Sequence, residues 1–314
     1  MTVPSAVSHS PDAEPGPHGP VFPERVLAAV RPDRPLQLAD AVGAVDACRE
    51  LQYLSPGECF LLLADLRPLA GRSGRIPHRT LVEDAVRAVL ALGVDPERCL
   101  VYRQSDVPHV FELMWMLCGR LGGAELDQPR PLLRAADILG VRATRFIAGG
   151  DPSEGPDLAR SIARRMNEQY GLPLLAEPVC EPRAVPDQPG GAVGLSVFAD
   201  EQTLSAQLDA LVHSALAPSA GTAGLTLLET LAPAAAAACA PAGRGGGQSA
   251  AAELKRLAMD GFARRFAEAR ERYAKYATEP TLPCEVLGDG ASRARREAAE
   301  VVAVVKEALR ERAV

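Results

Sequence analysis

This chain reads as an α/β protein: a doubly wound, Rossmann-like parallel sheet followed by an all-helical second domain. Three observations lead there. Short, continuously apolar runs alternate with longer segments of helical period through the first half of the 314 residues. A parallel sheet covered on both faces requires unbroken apolar strands of that kind. Beyond about Thr203 the apolar residues fall only at helical spacing, and a Pro/Gly-rich stretch from Pro182 to Gly194 separates the two regimes.

Taken in order, residues 1–20 hold five prolines and no apolar core, and are expected to form a disordered leader rather than a targeting signal. The first strand is predicted at Val26–Val30. The second runs from Cys59 to Ala64, just before Asp65. The third is Leu100–Tyr102 and the fourth Thr144–Ala148. Helices are predicted between them at Leu81–Leu92, Val107–Leu121 and Leu158–Tyr170, the first and last stopped by Gly93 and Gly171. These elements place a sheet domain over residues 21–194 and a helical domain over 195–314. Within the helical part, Pro241–Gly247 is a linker. A long amphipathic helix follows, with Leu254, Leu257, Phe262, Phe266, Ala269, Tyr273 and Tyr276 along one stripe. The last helix, Ala291–Arg312, aligns Ala294, Ala298, Val301, Val305 and Leu309, a face suited to packing back on the core.

Composition narrows the function classes. A net charge of −6 argues against a generally basic nucleic-acid surface. No run of about 18 apolar residues is present, so no membrane span is expected. Seven cysteines are scattered without C-x-x-C spacing, which speaks against a zinc ribbon or redox motif and fits a reducing cytoplasm. No metal is expected.

Several segments, in order, resemble bacterial tryptophanyl-tRNA synthetases of class I. They are Arg31-Pro32-Asp33-Arg34-Pro35-Leu36-Gln37-Leu38-Ala39-Asp40, then Ala64-Asp65-Leu66-Arg67-Pro68-Leu69, and Gly93-Val94-Asp95-Pro96. Gln104-Ser105-Asp106-Val107-Pro108 and Ala135-Ala136-Asp137-Ile138-Leu139 follow, and Gly149-Gly150-Asp151-Pro152 stands where the family has G-E-D-Q. The C-terminal Arg270-Glu271-Arg272-Tyr273 also looks like the family. The resemblance runs from about Val26 to the C-terminus and implies a dimeric class I scaffold.

The departures bear on activity. The family's His-x-Gly-His turn lets a helix N-terminus approach nucleotide phosphates. Here its positions read Gln37, Leu38, Ala39 and Asp40, so a Cβ and a carboxylate stand where phosphate should lie. The family's mobile Lys-Met-Ser-Lys-Ser loop should fall between about Pro182 and Ser196. The only lysines of the chain are Lys255, Lys275 and Lys306. In the amino-acid pocket the resemblance implies, Asp137 matches the aspartate that accepts the indole N–H. Arg67 and Arg134 replace a His and a Met there. Arg67, Gln104, Ser105, Arg134, Asp137 and Asp151 are therefore the candidate ligand-binding residues.

The expectation is a pseudoenzyme: a synthetase-like homodimer without ATP-dependent aminoacylation, serving as a binding or accessory protein in specialised metabolism. Its ligand should be small and polar or anionic, because guanidinium groups suit carboxylate and phosphate. Two alternatives stand beside it. One is a repurposed enzyme acting on an aminoacyl-tRNA or an amino-acid-derived substrate, with Ser105 as a conceivable nucleophile. The other is a divergent, active tryptophan–tRNA ligase. No cofactor is expected, ATP included. Haem is an open alternative through His78, His109 or His213, and tRNA is an open partner through the Arg-rich last helices.

Overall fold

Five parallel strands form one sheet in the computed structural model, which describes residues 22–53, 58–66, 76–118, 129–148, 155–182, 194–216, 223–233 and 248–311. The strands are β1 (Val26–Val30), β2 (Cys59–Leu63), β3 (Cys99–Arg103), β4 (Arg145–Ala148) and β5 (Val179–Pro182), in the order β3-β2-β1-β4-β5. The order reverses between β1 and β4. In an open α/β sheet, a crevice forms at the carboxyl ends of the strands at that point.

The helices are α1 (Leu38–Asp40), which continues through a π-turn at Ala41–Val45 into α2 (Asp46–Leu51), then α3 (His78–Ala91) and α4 (His109–Cys118). They continue with α5 (Pro129–Gly140), α6 (Pro156–Tyr170), α7 (Glu201–Leu216) and α8 (Ala223–Leu231). Two long helices, α9 (Gln248–Tyr276) and α10 (Leu282–Glu311), complete the described residues.

Side chains alternate along each strand, so each face of the sheet acquires its own core. Ala28, Val30, Leu61, Leu63 and Val101 face one way and pack with α2, α3, α7 and α9 through Cys48, Val86, Leu208 and Phe262. Leu27, Phe60, Leu62, Leu100 and Tyr102 face the other way, onto α4, α5, α6 and α10 through Leu113, Ile138, Ile162 and Val301. Burial on both faces explains why β1, β2 and β3 as far as Tyr102 are continuously apolar.

The four predicted strands and three predicted helices of the first half are present, with ends shifted by a few residues. Gly93 (φ +100°) and Gly171 (φ +64°) end α3 and α6 in conformations that favour glycine. Two elements differ from expectation. The strand β5 carries no apolar run. Its Glu181 and Pro182 are tolerated because it is an edge strand. The last helix begins at Leu282 rather than Ala291, taking in Gly288 and Gly290. At Gly290 a Cβ would lie 2.0 Å from the Val101 carbonyl oxygen, so glycine is what lets α10 cross against β3. The leader at residues 1–20, the Pro241–Gly247 linker and residues 183–193 of the connector lie outside the described residues.

Candidate functional site

A cavity of about 520 Å³ opens at the carboxyl ends of β1, β2 and β4, beside the turn that follows β3. Its walls are largely apolar: Ala29, Leu62, Ala64, Leu66, Phe111, Leu133 and Phe146. Gln104, Asp137, Arg31, Arg130 and Arg134 supply its polar groups. This is the usual composition of a small-molecule site, an apolar body with a few placed polar atoms. It is more apolar than the arginine substitutions alone suggest.

Asp137 projects from α5, whose residues from Ala135 to Gly140 are all buried, and this fixes the carboxyl against the sheet. Gln104, in a single 3-10 turn after β3, donates from Nε2 to Asp137 Oδ2 at 2.5 Å. Burial pushes the Asp137 carboxyl up to about 8. The Gln104 hydrogen bond and the Arg134 charge pull the other way, and the Asp65 charge adds to the rise. At neutral pH the carboxyl is therefore mainly protonated and can donate a hydrogen bond as well as accept one. Burial beside Asp137 also holds the Tyr102 phenol well above its ordinary value.

Gln104, Arg134 and Asp137, three of the candidate residues, line one cavity. Ser105 does not join them. Its backbone N–H and its hydroxyl both donate to Asp65, at 2.9 and 2.6 Å, so the hydroxyl is committed beneath the turn. His78 Nε2 lies 4.0 Å from the same carboxylate, which puts the acid between serine and histidine. A nucleophile relay needs the histidine in the middle. Asp65 is 1% exposed and was not among the expected site residues. Its place directly after the second apolar strand was the available signal. Arg67 and Asp151 lie outside the described residues.

The turn Gln37-Leu38-Ala39-Asp40 opens α1. Asp40 Oδ2 accepts the Gln37 N–H at 3.1 Å, so the carboxylate acts as a local cap. Gln37 is itself buried, with Nε2 donating to the Pro35 carbonyl. The segment after the connector lies across this turn. Leu38 N–H donates to the Leu195 carbonyl at 2.7 Å, Val197 N–H to that of Leu36 at 3.1 Å, and Gln37 bridges Ser196. A Cβ at Gly194 would sit 2.1 Å from Gln37 Oε1. From α9, Arg270 donates to the carbonyls of Val197 and Ala199, both at 2.7 Å, and Tyr273 stacks on Phe198 at 4.2 Å. The segment is pinned at every second residue. Two of the three lysines are paired elsewhere, Lys255 with Asp209 at 2.6 Å and Lys306 with Glu112 at 2.5 Å, and Lys275 lies exposed in the last turn of α9.

Among the described residues, the one group of three or more His, Cys, Asp or Glu side chains close enough to share a metal ion is Cys48, Cys59 and Cys99. Neither His78, His109 nor His213 belongs to such a group. Sequence spacing could not reveal the cysteine cluster, because it draws on three separate elements.

The family model described as tRNA synthetases class I (W and Y) matches residues 23–123. A tryptophan–tRNA ligase of Treponema pallidum is 32% identical over 171 residues, 47% of this chain and 50% of that protein. The chain spans about half the length of such curated relatives. A tryptophan–tRNA ligase of Xylella fastidiosa is 28% identical over 337 residues, covering 91% of this chain and 75% of that one. Among solved structures, tryptophanyl-tRNA synthetase from Campylobacter jejuni superposes with a TM-score of 0.70 at 24% identity, covering 91% of this chain and 99% of that one. The enzyme from Mycoplasma pneumoniae gives 0.71 at 16% identity, covering 91% and 97%.

Proposed function

We propose that this chain, which belongs to the tryptophanyl-tRNA synthetase family of class I, binds a small aromatic anion in the old amino-acid pocket and forms no adenylate. It then works as a binding or accessory protein rather than as a ligase. The observation that carries this reading is the covered nucleotide turn: Gln37–Asp40 lies under the lysine-free segment 194–197, which Arg270 ties to α9. Adenylate formation builds negative charge on phosphate, and stabilising it takes preorganised donors and cations at that point. Here the turn presents a carboxylate, and two lysines are held in distant pairs.

The ligand class follows from the cavity. Its apolar walls accept a ring, and the Gln104–Asp137 pair at its floor can meet a ring N–H or a carbonyl. Arg31, Arg130 and Arg134 favour a net negative charge and oppose the ammonium of a zwitterion such as tryptophan.

An active tryptophan–tRNA ligase is the second reading. Relatives named as such align over 91% of the chain, and Asp137 is retained. A serine-based transferase loses support, because the Ser105 hydroxyl is bonded to Asp65. Tryptophan-dependent ATP–pyrophosphate exchange decides between the first two. No exchange is expected, nor any after Gln37→His, Ala39→Gly and Asp40→His together, since the lysines stay absent. Exchange by the unmodified protein would establish the ligase reading instead. Calorimetry complements this. An indole carboxylate should bind more tightly than tryptophan, and Arg134→Met should narrow the gap by about 1.5–3 kcal/mol. Tight tryptophan binding unaffected by that change would refute the ligand class.

A further inference from the structure

Cys48, Cys59 and Cys99 meet at the end of the sheet opposite the cavity. Cys59 and Cys99 are the first residues of β2 and β3 and stand in register as neighbours. Cys48 reaches them from α2. All three are at most 1% exposed, within the apolar cluster that includes Ala44, Leu61 and Val101. Their three sulfur atoms lie within 4.8 Å of one another.

We propose that these three thiols form a covalent binding site for one trivalent thiophilic ion, of which arsenite is the representative. Geometry selects a three-coordinate centre. Metal–sulfur bonds of ~2.3 Å in a trigonal or pyramidal arrangement place sulfurs on the order of 3.5–4 Å apart, and the fold already gathers the three within 4.8 Å of one another. Soft thiolate sulfur selects soft ions. Among the described residues no fourth Cys, His, Asp or Glu joins the group, so a closed tetrahedral zinc site lacks a ligand.

Charge then selects the valence. Three thiolates carry −3 in an apolar core, and burying net charge is costly. A monovalent ion leaves −2, a divalent ion −1 and a trivalent ion zero. The reaction with arsenous acid is neutral throughout. Three S–H and three As–O bonds break, three As–S bonds form, and each thiol proton leaves with a hydroxide as water. No oxidation state changes. Because the site is closed, loading requires a local opening of the core and should be slow.

The test uses the reduced 314-residue chain, incubated with sodium arsenite until the signal is constant. Native mass spectrometry should show one arsenic added with three hydrogens lost. Alkylation after denaturation should then find Cys48, Cys59 and Cys99 protected, and Cys118, Cys180, Cys239 and Cys284 modified. Serine at those last four positions should leave uptake unchanged, and Cys48→Ala should abolish the three-hydrogen adduct. No adduct, loss of only two hydrogens, protection of other cysteines, or preferential uptake of zinc added alone would overturn the proposal. The alkylation map needs no variant, so a Cys48→Ala protein that fails to fold leaves the outcome decided.

Discussion

Asp137 shows how one side chain can record its surroundings as a pH dependence. Its carboxyl is ordinary in the unfolded chain, near 3.8, and is held at about 8 in the fold, first by burial. Between those values the native state keeps a proton that the unfolded state releases, so this residue lowers stability progressively as pH rises from about 4 to about 8. Asp137→Asn removes the ionisation and keeps an oxygen to accept from Gln104. The variant should gain stability relative to the native protein by about 2–4 kcal/mol more at pH 8 than at pH 5. Urea unfolding of both proteins at the two pH values measures this, and a pH-independent difference would show that the carboxyl ionises freely in the fold. The cavity-lining position of a candidate residue is legible in the sequence where a regular element sets its direction. Arg134 and Asp137 lie one helical step apart on α5 and both reach the cavity. Ser105 was not legible, because a single 3-10 turn and two bonds to Asp65 decide where it points. The cysteine cluster was hidden for a related reason: strand register, not sequence spacing, assembles it.

At the scale of the element, the apolar pattern was enough wherever an element is buried on two sides. Strands β1 to β3 could be read directly, because every position of β2, for example, is buried. Strand β5 escaped because an edge needs no apolar run, and Arg145 holds its Glu181 by an ion pair at 2.6 Å instead. Helix α10 starts at Leu282 and not at the expected Ala291, because tertiary packing overrides the low helix propensity of Gly288 and Gly290. The two glycines have opposite environments, which makes a paired prediction. Gly290→Ala drives a methyl group into the Val101 carbonyl and should destabilise by about 1–3 kcal/mol or more. Gly288→Ala meets nothing within 4 Å and should stabilise by about 0.5–1 kcal/mol through helix propensity. Thermal unfolding of the two variants should move in opposite directions. A neutral Gly290→Ala would mean that α10 is not held closely on β3.

On the scale of the whole molecule, helix α4 links the cavity to the outer surface. Val110, Leu113 and Leu117 of this helix are buried in the core, whereas Phe111 and Trp115, one turn apart, are 39% and 77% exposed. The fold divides this helix between two environments. One face is core, and the other is a large aromatic surface facing solvent, of the kind that anchors an interface. A twofold homodimer through this face would bury Trp115 twice, once from each copy, worth about 2–3 kcal/mol per side chain. Trp115→Glu should therefore give a monomer at micromolar concentration with an unchanged helical circular dichroism spectrum. Because Phe111 also lines the cavity, the same substitution should weaken binding of an aromatic anion severalfold without touching Arg134, Gln104 or Asp137. Sedimentation velocity and calorimetry on one preparation test both consequences. A native protein that sediments as a monomer would remove the interface, and a monomeric Trp115→Glu variant that binds normally would separate the cavity from it.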